Sequence, residues 1–127
     1  MVVIDASAIL AAILGETGGD AVFEMLDDAA VSTVNIAEVY TYAAINALAT
    51  GAIDAFFADT GIEIAAFDQA QAVIAGSLAR VTRKVGLSLG DRACLALATL
   101  RQAEVLTADR PWAQIADSSG LTIQLLR

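Results

Sequence analysis

The sequence predicts an α/β fold: a three-layer α/β/α sandwich around a five-stranded parallel sheet. Five short apolar runs alternate with segments of helical character, and the connections between them are too short to hold further elements. A chain of 127 residues with 57% hydrophobic and 17% charged side chains also suits one domain over residues 1–127 with a well-covered sheet.

Val2 to Ala6 reads as a buried strand bounded by polar residues, and Ser7 to Leu14 as a helix closed by Gly15, with Asp5 at the junction. A second helix is expected from Asp20 to Leu26, then a strand from Val31 to Val34. Asn35 is expected to cap a helix from Ile36 to about Ala49 that ends at Gly51. A shorter helix over Ile53 to Ala58 leads to the strand Glu63 to Ala66. Asp68 to Val85 is amphipathic and predicts one long helix, basic only at its end. Ser88 opens a further helix through Leu100 whose residues after Arg92 are apolar almost all round, as in a helix buried on most sides. Val105 to Thr107 predicts a strand, Asp109 and Pro111 open a short helix, and Thr122 to Leu125 completes the sheet.

Alanine fills 28 positions, so the hydrophobicity reflects a tightly packed helical interior. No stretch reaches the roughly 18 apolar residues of a membrane span, and no basic leader precedes the first strand, so the expected address is the cytoplasm, with no membrane contact. A single cysteine, Cys94, excludes an internal disulfide. With no histidine, Cys/His zinc frameworks, Ser-His-Asp catalysis and paired-histidine acid/base chemistry are also excluded. The net charge of −8 is unevenly spread: residues 1–79 hold 11 acids and no base, whereas residues 80–127 hold 4 acids and 7 bases. Whole-chain charge is therefore a poor guide to partners.

In doubly wound sheets, ligands bind beyond the carboxyl ends of the strands, where the strand order reverses. Four acids fall on that edge: Asp5 after the first strand, Glu38 and Asp91 in first helical turns, and Asp109 after the fourth strand. Singly, each has a structural reading. Asn35-Ile-Ala-Glu38 and Ser88-Leu-Gly-Asp91 resemble capping boxes, Asp109 precedes Arg110-Pro111 as an N-cap would, and Asp5 braces its own turn. Together they demand more. Two carboxylates about 4 Å apart repel by roughly 4 kcal/mol at an effective dielectric near 20, so such a cluster needs a cation or a proton. An all-oxygen set without His or Cys selects Mg²⁺ or Mn²⁺.

Ser7 and Thr107, two residues from Asp5 and Asp109, either orient these carboxylates or are ordinary turn hydroxyls. Tyr40 and Tyr42 face the cleft or pack beneath it. Cys94 reads as a small core residue and Trp112 as the packing anchor of the Asp109 turn. Asp20, Glu24, Asp27 and Asp28 read as a solvated face. Arg80, Arg83 and Lys84 read as a solvated helix end, or join Arg92 and Arg110 as weak candidates for holding phosphates.

Four segments in order, Val3-Ile-Asp-Ala-Ser7, Asn35-Ile-Ala-Glu-Val39, Ser88-Leu-Gly-Asp-Arg-Ala-Cys94 and Leu106-Thr-Ala-Asp-Arg-Pro-Trp112, resemble the PIN-domain ribonucleases, specifically VapC-type toxins of toxin–antitoxin pairs. The resemblance spans nearly the whole chain, and its last two segments are the specific ones. It implies a PIN-like sheet with the first and fourth strands adjacent at its centre. It also implies that Asp5, Glu38, Asp91 and Asp109 are the catalytic, metal-binding acids for Mg²⁺ or Mn²⁺, with Ser7 and Thr107 in support. By the same resemblance the partners are an RNA substrate, a cognate small antitoxin laid across the acidic cleft, and a second copy in a homodimer. Trp112 stands where the family often has Phe, a change that bears on packing more than on chemistry. The competing reading is a non-catalytic module whose acidic cleft binds a basic partner peptide. A receiver or haloacid-type phosphotransfer domain fits less well, because Asp5 lacks the paired acid and no Lys stands near the end of the chain.

Overall fold

The computed structural model describes residues 1–127. Its strands are β1 (Val2–Ile4), β2 (Ala29–Ser32), β3 (Glu63–Ala65), β4 (Glu104–Thr107) and β5 (Ile123–Leu125). Its helices are α1 (Ala6–Leu14), α2 (Gly19–Phe23), α3 (Thr33–Ile45), α4 (Gly51–Asp59), α5 (Gln69–Ser77), α6 (Ala79–Thr82), α7 (Leu89–Arg101) and α8 (Ala116–Ser119). All strand pairs are parallel, in the order β3-β2-β1-β4-β5. The order reverses between β1 and β4, which pair through Val3 opposite Val105 and Ile4 opposite Leu106. The expected parallel α/β/α sandwich is the observed one.

Strand periodicity divides the core in two, because successive side chains point to opposite faces of the sheet. Val2, Ile4, Val31 and Leu106 face one way and pack with Ile9, Val22, Val39 and Phe56 from α1 to α4. Val3, Ala30 and Val105 face the other way and pack with Leu95 and Leu97 of α7 and with Trp112. Residues 93 to 98 of α7 are all buried, as their near-continuous apolar run predicts. No helix is long and apolar enough to cross a membrane.

Several boundaries differ from the sequence reading. The second strand ends at Ser32, whose side chain accepts from Val34 N, so α3 starts at Thr33 and Asn35 lies inside the helix instead of capping it. Ser32 wins because its hydroxyl sits where the chain leaves extended geometry, and Asn35 is freed for another bond. α3 stops at Ile45, four residues early, where Ala47 turns into the left-handed region at φ 53°. Gly51 starts α4 instead of closing α3. The long helix expected from Asp68 to Val85 is broken at Leu78 into α5, α6 and a 3-10 turn over Arg83–Val85. There the Ser77 and Thr82 hydroxyls take the carbonyls of Ile74 and Leu78, in competition with the helical ladder.

α2 rides directly on the backbone of α1. A Cβ at Gly19 would stand 2.2 Å from the Ala11 carbonyl oxygen and 2.6 Å from its carbon, with main-chain atoms that cannot swing aside. Gly19→Ala is expected to cost about 2 kcal/mol, the range for overpacking a close contact. Urea unfolding followed by circular dichroism should show a lower midpoint with an unchanged slope.

Candidate active site

The carboxyl ends of β1 and β4 open into a cleft of about 430 Å³ lined by Asp5, Ser7, Glu38, Tyr42, Asp91, Asp109 and Arg127. The four acids singled out from the sequence therefore share one cavity, although residues 5 and 109 are 104 positions apart. Asp5 lies deepest. It caps α1 by accepting from Ala8 N at 3.0 Å, and only 4% of its surface is exposed. The Ser7 hydroxyl lies 2.8 and 2.9 Å from its two oxygens, and the Thr107 hydroxyl donates to Oδ2 at 2.7 Å. Those hydroxyls are held in turn: Ser7 Oγ accepts from Ala108 N and Thr107 Oγ1 from Asp109 N. Capping and site roles thus coincide, and one network stitches the end of β1 to the end of β4.

The other three acids follow a common rule in which one carboxylate oxygen is tied down and the other is left to the cleft. Asp91 closes a capping box with Ser88, accepting from Ser88 N on Oδ2 at 2.8 Å. Asp109 stands at an N-cap position but makes no capping bond; its Oδ2 accepts from the indole N–H of Trp112 at 3.0 Å. Glu38 accepts from the Asn35 amide on Oε1 at 2.7 Å. None of the remaining oxygens is a buried, unpaired atom. Trp112 is fully buried, so the residue expected to anchor the turn by packing also aims the acid.

A family model for the PIN domain matches residues 2–118, nearly the whole chain. The chain belongs to the PIN-domain family. This PIN domain also superposes on solved structures along most or all of its length. A toxin–antitoxin complex from Klebsiella pneumoniae is similar at a TM-score of 0.74 and 19% identity, covering 100% of this chain and 98% of that one. FitAcB from Neisseria gonorrhoeae is similar at 0.72 and 17%, covering 99% and 98%. A sarcin–ricin-loop-cleaving toxin of Mycobacterium tuberculosis, VapC20, is similar at 0.67 and 12%, covering 85% and 88%. At these identities the likeness is one of fold. No curated protein sequence matches the chain.

The electrostatics of the PIN-domain cleft follow from its burial and its like charges. Burial pushes the Asp5 carboxyl up to about 6, against the pull of its hydrogen bonds, and the charge of Asp91 adds to the rise. Glu38 is raised for the same reasons, burial first, with Asp91 again contributing. The buried Cys94 thiol is pushed well up, by desolvation and then by Asp5, Asp91 and Glu38, which makes it a core residue within the acids' field.

The donor set is all oxygen, as a hard divalent cation requires. No three acids close into a cage around one point. An open cleft with single free oxygens fits Mg²⁺ or Mn²⁺, ions that keep several waters and take few protein ligands, better than a closed structural site.

Two cleft residues were poorly legible in the sequence. Tyr42 faces the cleft, whereas Tyr40 turns away to donate to Asp54. Arg127 carried no motif at all; it is brought in when Leu126 N bonds to Thr107 O beyond β5, and its guanidinium is held by Thr17 O and Glu16. It is the one base lining the cleft. Arg80, Arg83 and Lys84 lie on α6 and the following turn, Arg92 donates to Ala75 O, and Arg110 bonds the Arg127 carbonyl; none of these five lines it.

Because folding raises Asp5 from 3.8 to about 6, the folded protein holds more protons than the unfolded chain between those values. Its cation-free stability therefore falls as pH rises through that window, by on the order of 3 kcal/mol from Asp5, with Glu38 acting in the same sense. Urea unfolding in EDTA should give higher midpoints near pH 5 than near pH 7. Asp5→Asn should flatten the dependence.

Proposed function

We propose that this PIN domain is a divalent-cation-dependent endoribonuclease of the VapC type, the toxin of a toxin–antitoxin pair, which hydrolyses RNA phosphodiesters in the acidic cleft. One observation carries the reading: three acids, each anchored through one oxygen with the other unbonded, line one cleft with a buried fourth acid at the point where the strand order reverses. Membership in the PIN family supports it. So does the fold shared with a toxin–antitoxin complex and with a toxin named for cleaving the sarcin–ricin loop.

Asp5, Glu38, Asp91 and Asp109 would hold Mg²⁺ or Mn²⁺, whose chemistry here is neutralisation of phosphate charge and acidification of water. Ser7 and Thr107 keep Asp5 oriented and fix the two strand ends relative to one another. Arg127 offers the cleft a guanidinium, a group suited to a phosphate oxygen. Water adds to phosphorus, the bond to the 3′ oxygen breaks, and the products are a 5′-phosphate and a 3′-hydroxyl. The cleft has no histidine to serve as acid or base on the 2′-hydroxyl, which favours water as the nucleophile. A cognate antitoxin presenting a cationic side chain would suit the cleft and block it. Cytoplasmic location and a homodimer complete the proposal.

Asp91→Asn should retain its circular dichroism spectrum and lose at least about 100-fold of cleavage activity, in keeping with loss of electrostatic stabilisation at the reacting group. Chelator should abolish cleavage by the wild type and Mn²⁺ restore it. Product ends mapped by mass spectrometry should be 5′-phosphates; 2′,3′-cyclic phosphates, or full cleavage in excess EDTA, would overturn the assignment.

A further inference from the structure

Asn35 is an unexpected residue for the inner face of α3. It is 1% exposed, and its amide Nδ2 donates both to Glu38 Oε1 at 2.7 Å and to the Gly90 carbonyl of α7 at 3.0 Å. Its own Oδ1 is buried without a partner, so the side chain is retained at a cost that an apolar residue would avoid. Gly90 is equally out of place. It lies in the first turn of α7, its φ is not positive, and glycine weakens a helix relative to alanine, so its backbone conformation does not call for it.

Space explains both residues. A Cβ at position 90 would stand 2.4 Å from Glu38 Cδ and Oε2 and 2.6 Å from Oε1. The carboxylate therefore lies flat against a stretch of α7 backbone that only glycine leaves open, while Asn35 grips one of its oxygens and the backbone beneath it. Two features that each weaken the fold locally converge on the same side chain.

We propose that Asn35 and Gly90 are positioning residues that form a seat for the Glu38 carboxylate, holding Oε1 so that Oε2 is the oxygen presented to a divalent cation. The proposal rests on the cation-dependent reading given above. A glutamate on a free helix surface samples many rotamers, and the cation would have to order it on binding. The seat does that ordering when the protein folds, so the ligand is preorganised. It also ties α3 to α7, which fixes Glu38 relative to Asp91 one residue beyond Gly90.

The test is a double-mutant cycle read by Mn²⁺ calorimetry on the full chain, with circular dichroism to confirm folding. Glu38→Gln and Asn35→Leu should each weaken Mn²⁺ binding by roughly 10-fold or more, the scale for losing a residue that orients a ligand. The double variant should bind no more weakly than Glu38→Gln alone, because Asn35 acts only through Glu38. A residue that merely stabilised the helix pair would give losses that multiply. Gly90→Ala, run through the same cycle, should behave alike and carries the test if Asn35→Leu fails to fold. Folded Asn35→Leu or Gly90→Ala with wild-type affinity, or multiplying losses, would overturn the seat while leaving the cation site standing. No saturable Mn²⁺ binding by the wild type would overturn the cation-dependent reading and the seat with it.

Discussion

A carboxylate 4% exposed to solvent is an expensive thing to keep in a protein core, and Asp5 is the one charged side chain among the buried residues. Its cost is offset by the Ala8 amide and the Ser7 and Thr107 hydroxyls, and two of these are themselves oriented by amides at the end of β4. That network ties the ends of β1 and β4 together at the reversal point. The meeting opens a cleft between the ends of α1, α3 and α7, and the burial that raises Asp5 to about 6 comes with it.

Around this buried acid, a capping bond and an open carboxylate oxygen are not rivals. Asp91 satisfies the Ser88 amide with one oxygen and still has another for the cleft, and Asp109 is oriented by an indole N–H rather than by a helix terminus. Anchoring through one oxygen leaves a carboxylate rigid and yet half unsatisfied. Under the cation-dependent reading proposed above, such groups would suit an ion that keeps most of its water, in a cleft where no three acids close on one point.

The uneven charge along the chain does not map onto the cleft. The seven bases all fall after residue 79, yet Arg101 pairs with Glu63, Arg92 is spent on the carbonyl of Ala75, and the Arg80 to Lys84 group lies on α6 and the turn that follows. Arg127 alone lines the cleft, with its guanidinium paired to Glu16.

Much of the fold was legible because it is written in local signals. Alternation along Val2-Val3-Ile4 announces a two-faced strand, the Ser88 to Asp91 spacing announces a helix start, and the apolar run after Arg92 announces burial. The four acids were legible from their places at strand ends and helix starts, and each has a holding group within three residues: Ser7 for Asp5, Asn35 for Glu38, Ser88 for Asp91 and Trp112 for Asp109. What the sequence could not disclose was decided by partners far along the chain. Asn35 reads as a cap until a carbonyl 55 residues away claims its amide, and Arg127 reads as nothing until a bond to Thr107 carries the chain back over the cleft. The break at Leu78 and the early end of α3 likewise reflect main-chain groups finding partners other than those that simple periodicity assigns. The sequence by itself determined the layers, the faces of the sheet and which acids stand at its edge, since periodicity and capping act over a few residues. Only the tertiary structure decided which oxygen of each acid is free and which base joins them, because those choices depend on geometry between elements brought together from opposite ends of the chain.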